Sequence, residues 1–170
     1  MANVVTMSGS LEPRGGWVAD RCPIAETLEV VSTRSAFILL REAFYGTTRF
    51  DDFATRARLS EPVTSARLRE LVDHGLLKRA EYREPGQRTR QAYELTEKGA
   101  DLFPVLAAMM EWGSRWLDER GGPVKLRHRG CGADVGVHLT CDAGHEVASG
   151  DVELARNRPP RPTASPADAR

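Results

Sequence analysis

The chain has 170 residues, 24 basic and 24 acidic side chains, and three cysteines. This length is enough for one domain with appendages, and a core of that size folds without cross-links. No apolar run approaches the roughly 20 residues of a membrane span, and the first residues lack the pattern of a signal peptide. Because the cysteines are also odd in number and widely separated, we expect a cytoplasmic protein without a disulfide framework.

Two helices are predicted near the N-terminus, after an arm over residues 1–20 that has little periodicity and should be flexible. Cys22-Pro23 opens the first helix, because proline is favoured in the first helical turn. The second runs from about Arg34 to Tyr45 and has a broad apolar surface, so it should be buried. Gly46 suits the left-handed residue that ends many helices.

Two further helices follow, separated by a short turn. The first covers Arg49 to Ala57, and Ser60 is placed to cap the second, with Pro62 in its first turn. Helical periodicity turns Thr64, Leu68, Leu71 and Val72 inward. The outward face then carries Glu61, Pro62, Ser65, Ala66 and Arg69. Such a slim face suits a DNA major groove about 12 Å wide, so we predict that Ser60 and these five residues contact DNA.

A β-hairpin is predicted directly after these helices. Residues from Leu76 to Arg83 alternate apolar and polar character, the next residues have turn chemistry, and a return strand begins near Ala92. Around the predicted tip lie Arg83, Arg88 and Arg90, which are suited to contacts with phosphates or a minor groove. The order of helix, turn, helix and hairpin predicts a winged helix-turn-helix, a mainly α fold with a small β component.

The charges are unevenly distributed although they cancel overall. From Arg49 to Arg90 there are ten basic and seven acidic residues, whereas residues 91–121 contain three basic and six acidic ones. Such polarity orients a protein on a phosphate backbone. The alternative is an ordinary solvated surface with a polar hairpin tip.

A long helix is predicted from Thr96 to about Arg120, with a kink at Pro104. Its apolar stripe is too wide for a small domain to cover unaided. The stripe comprises Leu102, Phe103, Leu106, Met109, Met110, Trp116 and Leu117. We expect a homodimer, since two-fold symmetric regulators match palindromic operators. The alternative is that the helices between Pro23 and Tyr45 cover the stripe within one chain.

The character of the sequence changes after residue 121. Short strands are predicted over Val124 to Leu126, Val135 to Thr140 and Glu146 to Leu154. We therefore expect a main domain over 21–121, with the long helix as its dimerisation helix, and a small β-rich appendage over 122–155. Residues 156–170 are rich in Pro, Ala and Arg and should form a disordered tail.

Several motifs of the main domain resemble the HxlR-type winged helix-turn-helix regulators of the MarR-like superfamily. They are Cys22-Pro23, Leu39-Leu40-Arg41-Glu42-Ala43-Phe44, Arg49-Phe50-Asp51-Asp52-Phe53, Leu68-Arg69-Glu70-Leu71, Gly75-Leu76-Leu77, Tyr82 and Tyr93-Glu94-Leu95-Thr96-Glu97-Lys98-Gly99. The resemblance covers Cys22 to Trp116. It implies a cytoplasmic, generally dimeric transcription factor whose third helix of the winged core reads double-stranded DNA. It also implies a dimer interface built from the first helix and the long helix after the wing.

The favoured function is therefore sequence-specific transcriptional regulation. We expect a repressor, because no surface is evidently dedicated to recruiting polymerase. A nucleophile elbow, a phosphate loop and a Rossmann glycine pattern are all absent from the sequence, so we do not expect an enzyme. The alternative is a winged-helix protein-interaction module without DNA binding, and the arginine set Arg69, Arg83, Arg88 and Arg90 discriminates between the two.

Cys22 resembles the N-terminal cysteine with which several members of this family sense oxidants or electrophiles. A thiolate at the start of a helix is favoured by the helix dipole and by free N–H groups. The alternative is a small apolar residue buried in the dimer interface. The candidate effector is a small molecule or an electrophile.

His128, Cys131, Cys141 and His145 have spacings that suit a tetrahedral zinc site, since thiolate and imidazole are preferred zinc ligands. We favour the alternative in which no metal or other cofactor is bound. In that interpretation Cys131 and Cys141 pack the appendage, and His128 lies in a basic strip with Arg127 and Arg129.

Overall fold

The computed structural model describes residues 5–11, 22–31, 33–82 and 90–156. They form two compact units, one of residues 22–137 and one of residues 5–11 together with 138–156. The predicted appendage over 122–155 is thus divided between the two units. Of the predicted disordered tail, residues 157–170 lie outside the described part of the chain.

The described elements follow the predicted order. In chain order they are β1 (Thr6–Met7), α1 (Pro23–Val31), α2 (Arg34–Phe44), α3 (Phe50–Ala57), α4 (Glu61–Asp73), β2 (Leu77–Tyr82), β3 (Arg90–Leu95), α5 (Glu97–Ala100), α6 (Phe103–Trp116) and β4 (Glu153–Leu154). The predicted fold class, mostly helical with a small antiparallel hairpin, is confirmed. None of the helices in the described ranges has the length and apolar character that a membrane span requires.

Helix α2 is the centre of the first unit and contacts α3, α4, α6 and strand β3. Leu39 and Leu40 on α2 are fully buried, as are Phe53 on α3 and Leu68 and Leu71 on α4. These residues belong to one apolar cluster that continues into the hairpin. The predicted buried second helix and the inward stripe of α4 are therefore confirmed.

Two turns set the directions of the helices. Gly46 has a φ of +87°, the left-handed conformation predicted for the end of α2. Between α3 and α4 the same conformation falls on Arg58, whose φ is +53°. Ser60 occupies the N-cap position of α4, but the predicted capping hydrogen bond from its side chain is not formed.

The predicted single helix from Thr96 to about Arg120 is wrong in two respects, because the helix is broken rather than kinked and it ends at Trp116. Helix α5 ends at Ala100 and α6 begins at Phe103. The break precedes Pro104, which lacks an N–H and would clash with the carbonyl four residues earlier. Proline is tolerated in a first helical turn, and Pro104 lies there in α6. Thr96 caps α5 as predicted, since its hydroxyl accepts from the Gly99 N–H.

Two further predictions are wrong, one for residues 5–11 and one for the residues after 121. Residues 5–11, expected to be part of a flexible arm, contain β1, which pairs in parallel with β4. Of the three strands predicted after residue 121, only Glu153–Leu154 forms. Residues 122–148 instead make tight turns, each closed by an isolated bridge, Arg127 to Asp134 and Thr140 to Glu146. Their side chains are nearly all exposed, so no buried face stabilises a longer strand.

Candidate nucleic-acid interface

The predicted DNA-contacting residues of α4 lie together on its outward side. Glu61, Pro62 and Arg69 are exposed, and Ser65 and Ala66 are half-buried. Ser60 is exposed just before the helix. On the opposite side, Thr64, Leu68 and Leu71 are fully buried and fix the rotation of α4 about its axis. The result is a slim outward face on a rigidly packed helix.

Arg69 and Arg67 lie on the same helix but differ in their contacts. The Arg67 guanidinium donates to the Glu70 carboxylate and forms an ion pair with it. Arg69 is exposed and makes no ion pair with any residue of 33–82 or 90–156. Its guanidinium is therefore available to an anionic or base-edge partner, whereas that of Arg67 is already engaged.

Two cations that we did not single out from the sequence flank the N-terminus of α4. Arg56 near the end of α3 and Arg58 in the turn are both exposed, and neither forms an ion pair within the described ranges. In the sequence, these two arginines form a basic segment directly before α4 and could have been found from it. Cations at the turn of a helix-turn-helix are placed for phosphate contacts that fix the orientation of the protein.

The hairpin is anchored beside α3. Strands β2 and β3 pair antiparallel from Leu77 opposite Leu95 to Tyr82 opposite Arg90. The backbone before α3 joins them, because the Tyr93 N–H donates to the Thr48 carbonyl at 2.8 Å. The rings of Phe53 and Tyr93 also meet edge to face, with centroids 6.2 Å apart. The hairpin base therefore moves with the helix-turn-helix.

Two cations lie on the outer part of this base. The Arg49 guanidinium stacks over the Tyr82 ring at 4.9 Å. Arg90 lies 3.8 Å from the Asp51 carboxylate, and both side chains are mostly exposed. Because an exposed pair of this kind contributes little, Arg90 can exchange Asp51 for a phosphate at small cost. Arg83 and Arg88 lie outside the described residues, so their predicted DNA contacts stay predictions.

Helix α6 divides the predicted apolar stripe into two sides. Ala107 is buried, and Leu106 and Met110 are partly buried on the side that faces α2. This part matches the intrachain alternative. On the other side Met109 and Trp116 remain 53% and 65% exposed, and Trp112, which the predicted stripe did not include, is 58% exposed beside them.

Helix α1 carries a second exposed apolar surface. Ile24 and Leu28 are 72% and 52% exposed, and only Val31 at the end of the helix is buried. Cys22 precedes this helix, is half-buried, and accepts a hydrogen bond at its backbone carbonyl from the Glu26 N–H. The thiol predicted to sense oxidants therefore lies at the start of an apolar helix that is largely uncovered in one chain.

A cavity of about 270 Å³ lies between α2 and α6. Apolar and aromatic side chains dominate its walls, which are formed by Phe37, Ile38, Arg41, Phe44, Tyr45, Phe103, Leu106, Ala107, Met109, Met110 and Leu126. The rings of Phe44 and Phe103 have their centroids 5.2 Å apart. This cavity is a candidate site for a small-molecule effector.

The cysteines near the C-terminus are not buried. Cys131 and Cys141 are both exposed, so the prediction that they pack the appendage is wrong, because the segments that carry them have too little buried surface. Each contacts a histidine of its own turn, at 3.2 Å for Cys131 and His128 and at 3.6 Å for Cys141 and His145. Backbone N–H groups, chiefly that of His145, lower the pKa of the Cys141 thiol below its usual 9.0.

A helix-turn-helix whose second helix presents an exposed polar face, with a hairpin anchored beside it, defines a winged helix-turn-helix protein. Residues 30–121 match the family model of the HxlR-like helix-turn-helix proteins. The chain belongs to this family. The predicted family resemblance is thereby confirmed, and the chain is a helix-turn-helix transcriptional regulator.

Individual relatives agree with this assignment. An uncharacterized helix-turn-helix-type transcriptional regulator of Mycobacterium bovis is 38% identical over 141 residues, 82% of this chain and 84% of that protein. The crystal structure of PA1607, described as a candidate transcription factor, is 32% identical with a TM-score of 0.71. It covers 81% of this chain and 96% of its own. The reduced form of the redox regulator HypR is 30% identical with a TM-score of 0.52, and covers 57% of this chain and 95% of its own.

Proposed function

We propose that the chain is a homodimeric regulator that binds a palindromic DNA operator, with α4 in the major groove. The observation that carries the proposal is the outward face of α4, where Arg69 is exposed without an ion pair in the described ranges. Arginine in this position can bond the O6 and N7 atoms of guanine in a bidentate manner. The short neighbours Ser65 and Ala66 let the helix backbone come close to the base edges.

Phosphate contacts come from the elements on either side of α4. Arg56 and Arg58 flank its N-terminus, and Arg90 belongs to the anchored hairpin. These cations hold the protein on the duplex without reading sequence, so they support affinity, while Arg69 supports specificity. Arg83 and Arg88 extend the same role to the wing as sequence-based predictions.

Dimerisation supplies the second half-site. Large apolar side chains stay exposed on two helices, namely Ile24 and Leu28 on α1 and Met109, Trp112 and Trp116 on α6. Exposed apolar surface is a mark of protein–protein contact sites. Val105, Met109, Trp112 and Trp116 are also spaced four, three and four residues apart, the spacing of a helix–helix seam. A second copy covering these helices would set two α4 helices about one helical repeat, roughly 34 Å, apart.

Repression is the regulatory outcome we propose, because a bound dimer blocks access to a promoter without further contacts. We also propose the cytoplasmic location expected from the sequence. Binding rather than catalysis is the activity of this surface.

The test is a mobility-shift titration of the wild type and an Arg69→Ala variant. The duplex is the promoter fragment of the neighbouring divergent gene, because regulators of this kind often control genes adjacent to their own. Loss of a bidentate base contact should cost about 1–3 kcal/mol and relax base preference. Replacing Arg88 and Arg90 together should weaken binding to all duplexes and lower the salt slope by about one unit per lost phosphate contact.

Arg67→Ala is the matched control, because it removes an arginine from the same helix that is engaged with Glu70. It should leave operator affinity within about twofold of the wild type, as expected for a surface substitution. Equal losses in both variants would argue against the assigned groove face. If the wild-type dimer binds no duplex at low salt, the protein-interaction alternative is favoured. The exposed surfaces of α1 and α6 would then be the candidate partner-binding sites.

Thiol sensing at Cys22 is our second proposal. Cys22 is half-buried at the start of α1, the helix that we assign to the dimer, so its oxidation would act on subunit geometry. The similarity to the redox regulator HypR, at 30% identity, supports the idea. The cavity between α2 and α6 is the candidate site for a small-molecule effector instead.

The test titrates operator release with diamide in the wild type and in a Cys22→Ser variant. Release should be abolished in the variant, while a Cys131→Ser/Cys141→Ser double variant should respond like the wild type. An unchanged response of Cys22→Ser would rule out Cys22 as the sensor. Loss of the response only in the double variant would assign sensing to the C-terminal thiols.

A further inference from the structure

We propose that two turns near the C-terminus are zinc-ligand pairs, each offering one cysteine thiolate and one histidine imidazole to a zinc ion of its own. The first is His128 with Cys131, and the second is Cys141 with His145. Sequence spacing alone did not favour a metal. The distances between the side chains within each turn favour a bound metal.

The distances between the paired atoms match those of two ligands on one zinc ion. Zinc binds sulfur at about 2.3 Å and nitrogen at about 2.0–2.1 Å, and a tetrahedral angle then sets the two donors about 3.5 Å apart. The Cys131 Sγ lies 3.2 Å from the His128 Nδ1, and the Cys141 Sγ lies 3.6 Å from the His145 Nδ1. Either pair can therefore accept an ion with a movement of a few tenths of an ångström.

Both turns are closed by two opposed backbone hydrogen bonds, and the first turn is one residue longer than the second. In the first, His128 N–H donates to the Ala133 carbonyl and Gly132 N–H donates back to the His128 carbonyl, both at 2.8 Å. In the second, Cys141 N–H donates to the His145 carbonyl at 3.0 Å, and Gly144 N–H donates back to the Cys141 carbonyl at 2.8 Å.

A glycine in left-handed conformation allows each of these reversals. The φ of Gly132 is +75° and that of Gly144 is +83°. A single cysteine beside a histidine can arise by chance, and a plain S–H···N hydrogen bond would explain one such contact. The repetition of the pair, the distance and the backbone pattern in two separate turns favours a common ligand.

The surroundings of the turns indicate why a metal is needed. No side chain between residues 122 and 156 is buried, and Val135 and Leu139 are 46% and 59% exposed. The cysteines of the described ranges are all free thiols. Short segments that cannot bury an apolar core usually depend on disulfides or on metal ions.

Each turn leaves coordination positions for further donors. Among the described residues, no third cysteine, histidine or carboxylate joins either pair. Water or a donor from outside the turn would complete four-coordinate zinc. Thiolate and imidazole in equal numbers favour zinc over magnesium or calcium, which prefer oxygen ligands.

The test is a Co²⁺ titration of the reduced, untagged full-length chain. Co²⁺ takes zinc's place and gives a thiolate-to-metal charge-transfer band whose intensity follows the number of bound thiolates. The band should appear, and added Zn²⁺ should displace the Co²⁺ and remove it. Cys131→Ser and Cys141→Ser should each lose about half of the intensity, since each turn supplies one of the two thiolates.

The matched control is Cys22→Ser, which removes the third thiol and should keep the full band. Zn²⁺ should also slow the alkylation of Cys131 and Cys141 by iodoacetamide, read by mass spectrometry, and leave Cys22 unaffected. Absence of the band at millimolar Co²⁺ would overturn the proposal. A band that survives in the Cys131→Ser/Cys141→Ser double variant would also overturn it. The same holds if one single variant abolishes the band and the other leaves it intact.

Discussion

The winged core and the C-terminal segment of this chain are held together by different forces. In the core, Leu39, Leu40, Phe53, Leu68 and Leu71 have no exposed surface at all. Between residues 122 and 156 no side chain is buried, and turns are closed by backbone hydrogen bonds and exposed ion pairs. Apolar burial dominates folding energetics, so the core should determine global stability while the segment determines only local order.

The sharpest test of this contrast compares two large-to-small substitutions. Phe53→Ala removes a fully buried ring and should lower the free energy of unfolding by about 3–5 kcal/mol. Leu139→Ala removes a side chain that is 59% exposed and should change it by less than about 0.5 kcal/mol. Urea denaturation monitored by circular dichroism measures both. A comparable loss of unfolding free energy in the two variants would show that the segment unfolds cooperatively with the core.

A second test targets one close approach in the core. A Cβ added at Gly99 would lie 2.1 Å from the Leu76 carbonyl oxygen, a backbone atom that cannot swing away. Gly99→Ala should therefore cost about 1–3 kcal/mol through overpacking. Gly113→Ala in α6 is the matched control, since no atom outside the nearby backbone of its own helix lies within 4 Å of its added Cβ. It should stabilise the helix by about 0.5–1 kcal/mol, and a destabilising effect there would contradict the geometry.

A third test removes the proposed metal. Chelation of Zn²⁺ should speed amide hydrogen exchange in the turns that contain Gly132 and Gly144, because their local order would depend on the ion. Exchange in α2 and α4 should be unchanged. Acceleration throughout the core would contradict the separation of the two regions, and no change in the turns would contradict the metal's structural role.

The smallest expected effect concerns Asp134. The Lys125 ammonium donates to this carboxylate at 3.0 Å and, with Arg127, lowers its pKa below the usual 3.8. The contacts therefore stabilise the turn above that pH, and the contribution disappears as the pH falls through the folded-state pKa. In a carboxyl NMR titration, Lys125→Ala should return the pKa toward 3.8, and Arg127→Ala should do so less. The reverse order would contradict the assigned causes.

The sequence predicted the core well because hydrophobic periodicity and burial coincide there. The inward stripe of α4 and the order of helices and hairpin followed directly from it. The sequence predicted a kink rather than a break before Pro104, because the apolar periodicity continues across residues 101 and 102. The structure has a tighter turn there, in which the Leu102 N–H donates to the Gly99 carbonyl. After residue 121, alternating apolar residues predicted strands, but alternation stabilises a strand only when one face is covered.

For the site, the sequence identified the outward face of α4 but not the state of its charges. Arg67 and Arg69 look alike in the sequence, and only the structure shows that one is paired and the other is not. The contact of Arg90 with Asp51 likewise joins residues far apart in the chain. The Cys and His spacings suggested zinc, but the side-chain distances that favour it depend on turn geometry that no spacing specifies.

The central claim, that the outward face of α4 enters DNA, can be tested directly by tethered cleavage. An iron chelate attached to a Ser65→Cys variant should cut operator DNA in two zones separated by one or more helical turns of about 10 base pairs. Labelled wild type gives the baseline, because its native cysteines also take up the chelate. The same label on Ala108→Cys, on the exposed side of α6, should cut no more DNA than this baseline. Cleavage from Ala108→Cys, or none from Ser65→Cys above the wild-type level, would contradict the account.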